Sequence, residues 1–284
     1  MTTIPFVTKI AIYVIVFIVV LSIFQFLISI HPPRYSSKRT PATYDIPYEN
    51  VSFKTKDGII IKGWFIKSPK ANGTVIIGHG YPFDKGNILG VGKFLYPDYN
   101  LLFYDHRYFG DSTGRISTVG IKEIEDVKAA VAFVQEKFPS KPIALYGFSL
   151  SASAMLMSKA DVKAIVADSP YANLELMVKH IYGMFGPLKF PFVITTNLLS
   201  RVVFGIYPSD VSPAKAIQNT TVPMFVIHGE KDTQIPVENA YVLKESNPNI
   251  ELWIVKGVEH GFSYAETGED YEKRIKDFLR KHMK

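Results

Sequence analysis

Gly147-Phe148-Ser149-Leu150-Ser151 is the segment of this chain best suited to chemistry. A short apolar stretch, Pro142-Ile143-Ala144-Leu145-Tyr146, runs into it, and Ser151 to Ala160, rich in small residues and helix formers, runs out. A serine on the corner between a strand and a helix is forced clear of the sheet, where its hydroxyl can attack a substrate. A hydroxyl is a weak nucleophile, so it needs a base to take its proton and a third group to orient that base. The histidines after Ser149 are His180, His228, His260 and His282. His260 lies in Gly257-Val258-Glu259-His260-Gly261-Phe262, a loop following the apolar run Leu252 to Val255, and catalytic groups gather in loops at strand ends. That makes His260 the candidate base. His180 falls in a long insertion, His228 ends an apolar run, and His282 sits in a basic terminal helix. For the orienting acid the candidates are Asp232, Glu230 and Asp168. A developing oxyanion needs donors, and the backbone N–H groups of Tyr81, just after His79-Gly80, and of Leu150, just after Ser149, are the natural pair.

The elements that must carry these residues are legible in the hydrophobic pattern. Val51 to Lys67 alternates apolar and polar around Asp57-Gly58, a hairpin signal. From Gly73 onward the runs Thr74–Ile77, Leu101–Tyr104, Ile143–Tyr146, Ala164–Ala167, Phe225–Ile227 and Leu252–Val255 are apolar throughout, as suits strands buried on both faces of a parallel sheet. Ile121, Ile124, Val127, Val131 and Val134 recur at helical spacing between them, and Tyr271 to Met283 does the same. The expectation is one α/β domain over 48–284, a mostly parallel sheet with helices on both faces. About 40 residues between Ser169-Pro170 and Pro213 exceed an ordinary connection. This insertion, about 171–212, carries an apolar helical stripe and several aromatics, and is expected to form a helical lid over the substrate.

Ile10 to Ile30 contains no charge, and a helix of that length spans about 31 Å, close to the hydrocarbon thickness of a bilayer. It runs out through His31-Pro32-Pro33-Arg34 without a small-residue cleavage site, so residues 1–31 are expected to form an uncleaved transmembrane anchor and 32–47 a tether. The basic residues Arg34, Lys38 and Arg39 beyond the run outnumber Lys9 and the amino terminus before it by about one charge, so the catalytic domain is expected on the cytoplasmic side by that small margin. The chain has no cysteine, which excludes disulfides, thiolate metal sites and a cysteine nucleophile. Its net charge of +6 comes from scattered lysines, so nucleic acid is not an expected partner. No H-E-x-x-H spacing and no Gly-rich phosphate loop is present, so neither a metal nor another cofactor is expected.

Gly78-His79-Gly80, Tyr104-Asp105-His106-Arg107-Tyr108-Phe109-Gly110-Asp111-Ser112, the Ser149 corner, Gly229-Glu230-Lys231-Asp232 with Ile235-Pro236, and His260-Gly261-Phe262 occur in that order. In these blocks the chain resembles the α/β-hydrolases, in particular their serine-aminopeptidase-like branch, from about Val51 to the C-terminus. The resemblance implies the α/β-hydrolase fold, and its order Ser, Asp, His selects Asp232 as the acid. It implies Ser149 as nucleophile, His260 as base and an acyl-enzyme. Two positions depart from the pattern: Ser151 stands where the corner usually ends in glycine, and Tyr108 where the loop after Asp105 usually has one. Ser151 is expected to fit with modest strain, and Tyr108 to alter the pocket wall or the local turn.

The leading expectation is a serine hydrolase acting on an ester, thioester or amide of an apolar, lipid-like acyl substrate. A tethered peptidase is the alternative enzyme; it needs a carboxylate to hold a substrate amine, and Glu175 is the one near the start of the insertion. The non-enzymatic alternative is a binding protein that keeps the fold without the chemistry.

Overall fold

The computed structural model describes residues 5–284, so the first four residues of the expected anchor lie outside the described residues. Two compact units divide the chain: one comprises Pro33–Ala172 and Ser212–Lys284, the other the N-terminal residues to Pro32 together with Asn173–Val211. The strands are β1 (Glu49–Lys54), β2 (Ile60–Ile66), β3 (Thr74–Gly78), β4 (Asn100–Tyr104), β5 (Ile143–Phe148), β6 (Ala164–Asp168), β7 (Met224–Gly229) and β8 (Glu251–Val255). The helices are α1 (Phe6–Ile30), α2 (Lys85–Gly92), α3 (Glu123–Lys137), α4 (Leu150–Met157), α5 (Leu174–Ile181), α6 (Lys189–Phe204), α7 (Pro213–Ala216), α8 (Glu238–Ser246), α9 (Ser263–Thr267) and α10 (Glu269–His282).

In the larger unit Gly58 adopts φ +91° and turns the chain between β1 and β2, which pair antiparallel. The strands form one sheet in the order β1-β2-β4-β3-β5-β6-β7-β8. β2 pairs antiparallel with β4, and β3 to β8 run parallel. Successive side chains of a strand point to opposite faces, and here both faces are covered. Ile76, Leu145, Ile165 and Val226 pack with Val127, Val131 and Val134 of α3 and Ala152 and Met155 of α4. Val75, Ile77, Tyr146 and Val166 pack on the other face with Leu89 of α2 and Ile275 and Leu279 of α10. This is the α/β-hydrolase architecture. The run Leu252–Val255 differs from the expectation of full burial: β8 lies at the sheet edge, and Leu252, Trp253 and Ile254 are half-buried.

The 32–47 stretch, expected as a tether, makes contacts with the folded domain. Ser37 N–H donates to Asp84 Oδ2 (2.5 Å), Arg34 donates to the Gly114 carbonyl (2.9 Å), and the rings of Tyr35 and Phe83 lie 5.7 Å apart. A proline- and serine-rich sequence reads as a linker, yet its backbone donors and aromatic ring find partners on the folded domain.

The smaller unit is helical. α1 is long and apolar enough to cross a membrane, with a mean hydropathy of 2.9 over its most apolar window. Its first half is exposed on nearly every side, whereas Ser22, Phe26 and Ile30 in its second half are buried at four-residue spacing. There α1 meets the insertion: Ile18 and Leu21 pack against Val178 and Tyr182 and against Phe192 and Val193 of α6. The Phe26 and Phe204 rings lie 5.8 Å apart.

Candidate active site

β5 ends at Phe148 and α4 begins at Leu150, so Ser149 is the corner residue between them. Its φ of +52° and ψ of −107° lie where side chains other than glycine are strained. The corner is held by its neighbours: Ser149 N–H donates to the Asp168 carbonyl (2.8 Å), and the Ser149 carbonyl accepts from Ser153 N–H (3.1 Å). Gly147 is required at this turn, because a Cβ there would come within 2.5 Å of the Ala152 nitrogen.

His260 Nε2 lies 3.2 Å from Ser149 Oγ, and His260 Nδ1 lies 2.6 Å from Asp232 Oδ2. Asp232 Oδ1 accepts from the N–H groups of Ile235 (2.7 Å) and Gln234 (3.0 Å), which fixes the carboxylate. Burial pushes the Asp232 carboxyl up. The hydrogen bonds from His228, His260 and the backbone outweigh it and hold the group well below the ordinary carboxylate range. With Nδ1–H donated to an ionised Asp232, Nε2 is left as an acceptor facing the Ser149 hydroxyl, the tautomer a general base requires. The Phe148 ring lies 5.0 Å from the imidazole. The residues singled out from sequence thus meet, although they come from the ends of β5, β7 and β8.

Leu150 N–H is the first of the donors that a helix leaves without a carbonyl, and the positive end of the helix dipole lies with it. Tyr81 N–H donates to no carbonyl among the described residues. The Tyr81 loop runs close to the corner, because a Cβ on Gly80 would sit 2.7 Å from the Phe148 ring and 3.2 Å from Ser149 Cβ. Glycine is what allows that approach.

The rival acids and bases have other partners. Asp168 accepts from Tyr271 Oη (2.6 Å) and Ser169 Oγ (2.9 Å), and burial raises its pKa. Glu230 accepts from Gly257 N–H (2.9 Å). His228 is fully buried, donating from Nε2 to the Ile235 carbonyl (2.7 Å), with Asp232 Oδ2 3.4 Å away. The His282 ring packs on Phe278, and His180 is an exposed residue of α5.

Ser151 does more than fit. Its hydroxyl donates to the His79 carbonyl (2.6 Å) and meets His106 Nε2 at 2.5 Å, while His106 N–H donates to His79 Nε2 (3.1 Å). Asp126 backs this group, 3.3 Å from His106 Nδ1 and bound by Arg107, which also grips Asp57. Burial holds His79 and His106 down at about 4, so both are neutral at pH 7. This cluster fixes the strand end from which the Tyr81 loop departs. No spacing rule links residues 79, 106, 126 and 151; the sheet order β4-β3-β5 brings them together. Tyr108 adopts φ +72°, the conformation that explains glycine in the resembled pattern. Its ring stacks on the Arg34 guanidinium at 4.6 Å, so it binds the 32–47 segment and does not line the cleft described next.

A cleft of about 360 Å³ opens beside His260 and Gly80, walled by Tyr81, Phe83, Ile88, Val91, Phe262 and Tyr264, with His79, Asn87, Asp168 and Gln234 adding polar groups. A cavity that combines aromatic and aliphatic walls with several polar groups beside a strained corner is the ordinary form of a small-molecule site.

Fold and sheet order define an α/β-hydrolase. Residues 117–284 match the prolyl oligopeptidase family, and the chain belongs to that family. An esterase of Pyrococcus furiosus, Pf2001, is 30% identical, covers 89% of this chain and 100% of its own, and superposes with a TM-score of 0.71. The uncharacterised protein YqkD of Bacillus subtilis is 28% identical over 78% of this chain and 76% of its own length. An acylaminoacyl peptidase of Pyrococcus horikoshii shares the fold at 18% identity and a TM-score of 0.62, matching 84% of this chain and 42% of its own. The chain is therefore a hydrolase of the α/β class.

Proposed function

We propose that this hydrolase uses Ser149 as nucleophile, His260 as base and Asp232 as orienting acid, and cleaves esters or thioesters of apolar acyl groups. The observation that carries the reading is the hydrogen-bonded series Ser149–His260–Asp232 at 3.2 and 2.6 Å on a strained corner. His260 takes the Ser149 proton as Oγ bonds to the acyl carbon, and the carbonyl oxygen gains negative charge facing the N–H groups of Tyr81 and Leu150. Collapse of this intermediate breaks the bond to the leaving group, which departs with the proton from His260. Water then repeats the sequence on the acyl-enzyme and releases the acid.

An acyl substrate is favoured by the aromatic and aliphatic wall of the cleft. The similarity to an esterase, and at lower coverage to the thiohydrolase apmlB of Arthrinium phaeospermum (36% identical over 43% of each chain), points the same way. Glu175, the carboxylate that a peptidase reading would enlist for a substrate amine, is paired with Lys179 at 2.8 Å. Family membership keeps amide cleavage as the second reading. In the proposal α1 anchors the chain in a membrane with the catalytic domain on the cytoplasmic side. The insertion, which leaves the chain after the carboxyl end of β6, serves as lid.

Turnover of p-nitrophenyl esters by Ser149→Ala tests the chemistry, and near-complete loss is expected. Across an acyl series, kcat/KM should rise up to roughly fourfold per added methylene until the cleft is full, from about 0.8 kcal/mol per buried CH₂. Wild-type turnover by the variant would refute the nucleophile, and indifference to chain length would refute the substrate class.

A further inference from the structure

Within its compact unit the insertion presents an apolar face that is exposed among the described residues. On α6, Phe192, Val193 and Ser200 are buried, whereas Phe190, Ile194, Leu198 and Val202 are exposed. These four stand exactly one ridge apart, at four-residue spacing, and so form a continuous stripe along the helix. Val202 is 82% exposed. Met184 and Leu188, just before α6, are exposed as well. A stripe of this length facing water marks a surface with a partner.

Three observations identify the partner as lipid. First, α6 packs beside α1, the apolar helix, through Ile18, Leu21 and Phe26, so the stripe belongs to the same compact unit as the expected anchor. Second, α1 carries bare apolar side chains of its own, among them Phe6, Tyr13 and Phe17, and the two helices together make one apolar body. Third, α6 contains no acidic residue, and its cations stand near its ends, Lys189 and Arg201. Each lies over an aromatic ring, Lys189 over Phe190 and Arg201 over Tyr207, both at 5.7 Å. Long cationic side chains reaching past aromatic rings suit the headgroup layer of an anionic membrane.

We propose that α6 is a second membrane-contacting element, whose Phe190–Ile194–Leu198–Val202 stripe is buried among lipid acyl chains beside α1. The inference rests on α1 being in the membrane and does not depend on the identity of the nucleophile. It makes the insertion a lipid-facing element of the enzyme.

The absence of native cysteine allows single-site labelling of the full chain. Variants Ile194→Cys, Leu198→Cys and Val202→Cys, with Val14→Cys on α1 and Lys273→Cys on α10, would carry an environment-sensitive fluorophore. They would be reconstituted in vesicles of phosphatidylcholine and phosphatidylglycerol, with and without doxyl-labelled phosphatidylcholine. The expected result is blue-shifted emission at 194, 198 and 202, with quenching by doxyl lipid roughly twofold or more above that at 273. Quenching at 14 together with water-like emission at 194–202 would overturn the proposal while leaving the anchor intact. Blue-shifted emission there without doxyl quenching would mean that protein, such as a second copy, covers the stripe, and would overturn it too. Absence of quenching at 14 would remove the anchor and the proposal with it.

Discussion

Replacing Asp232 by asparagine is the perturbation whose size follows most directly from the geometry. When Ser149 loses its proton, His260 becomes an imidazolium whose Nδ1 lies 2.6 Å from an ionised carboxylate. At an effective dielectric of about 20, a unit pair at that distance attracts by about 6 kcal/mol. Asparagine removes the charge and also sets the wrong tautomer. The N–H groups of Ile235 and Gln234 both donate to Oδ1, so the amide oxygen of the variant must take that position. Its NH₂ then faces His260 Nδ1, which becomes an acceptor, and the proton moves to Nε2, where it blocks deprotonation of Ser149. Solvent and relaxation recover part of the electrostatic loss, so kcat should fall by about 10³ to 10⁴, or about 4 to 5.5 kcal/mol. The assay is steady-state ester hydrolysis at neutral pH on protein whose circular dichroism matches wild type. A fall of less than tenfold would refute the assigned role of Asp232 and the tautomer argument with it.

Ser151→Ala deletes the hydroxyl that joins the His79 carbonyl to His106 and should cost about 1 to 3 kcal/mol of stability in chemical denaturation; an unchanged midpoint would mean the contact contributes nothing. His79 and His106 have folded-state values depressed to about 4 from an ordinary 6.5. The unfolded chain therefore binds protons first, and the stability they contribute is whole above about pH 6.5 and drains as pH falls toward 4, by up to about 1.4 kcal/mol per unit for each ring. His106→Gln in detergent should flatten that acid slope by about half, and an unchanged slope would show that His106 does not titrate on unfolding.

The parallel strands were legible because full burial leaves uninterrupted apolar runs, and the corner serine because its flanks carry opposite conformational preferences. Ser149 and His260 could be singled out because each lies just beyond such a run, whereas Asp232 stood beside Glu230 and Asp168 until the resemblance's Ser, Asp, His order selected it. The half-buried state of β8 was not legible: edge position depends on strand order, which composition does not encode. The 32–47 segment read as a tether because its proline and serine content resembles a linker, whereas its Asp84 and Phe83 contacts are long-range. The Ser151–His106–His79 cluster was hidden for the same reason, since its members meet through the adjacency of β4, β3 and β5. Ser151 showed only as a small residue in place of glycine. Its hydroxyl acquires meaning once the His79 carbonyl stands 2.6 Å away.

The central claim is that the Ser149 hydroxyl is the reacting group. The most direct test treats the full-length protein with a fluorophosphonate, digests it and locates the adduct by mass spectrometry. The expected result is one phosphonylated peptide, modified at Ser149 and absent after Ser149→Ala. Modification at another serine, or labelling that persists in the variant, would contradict the account.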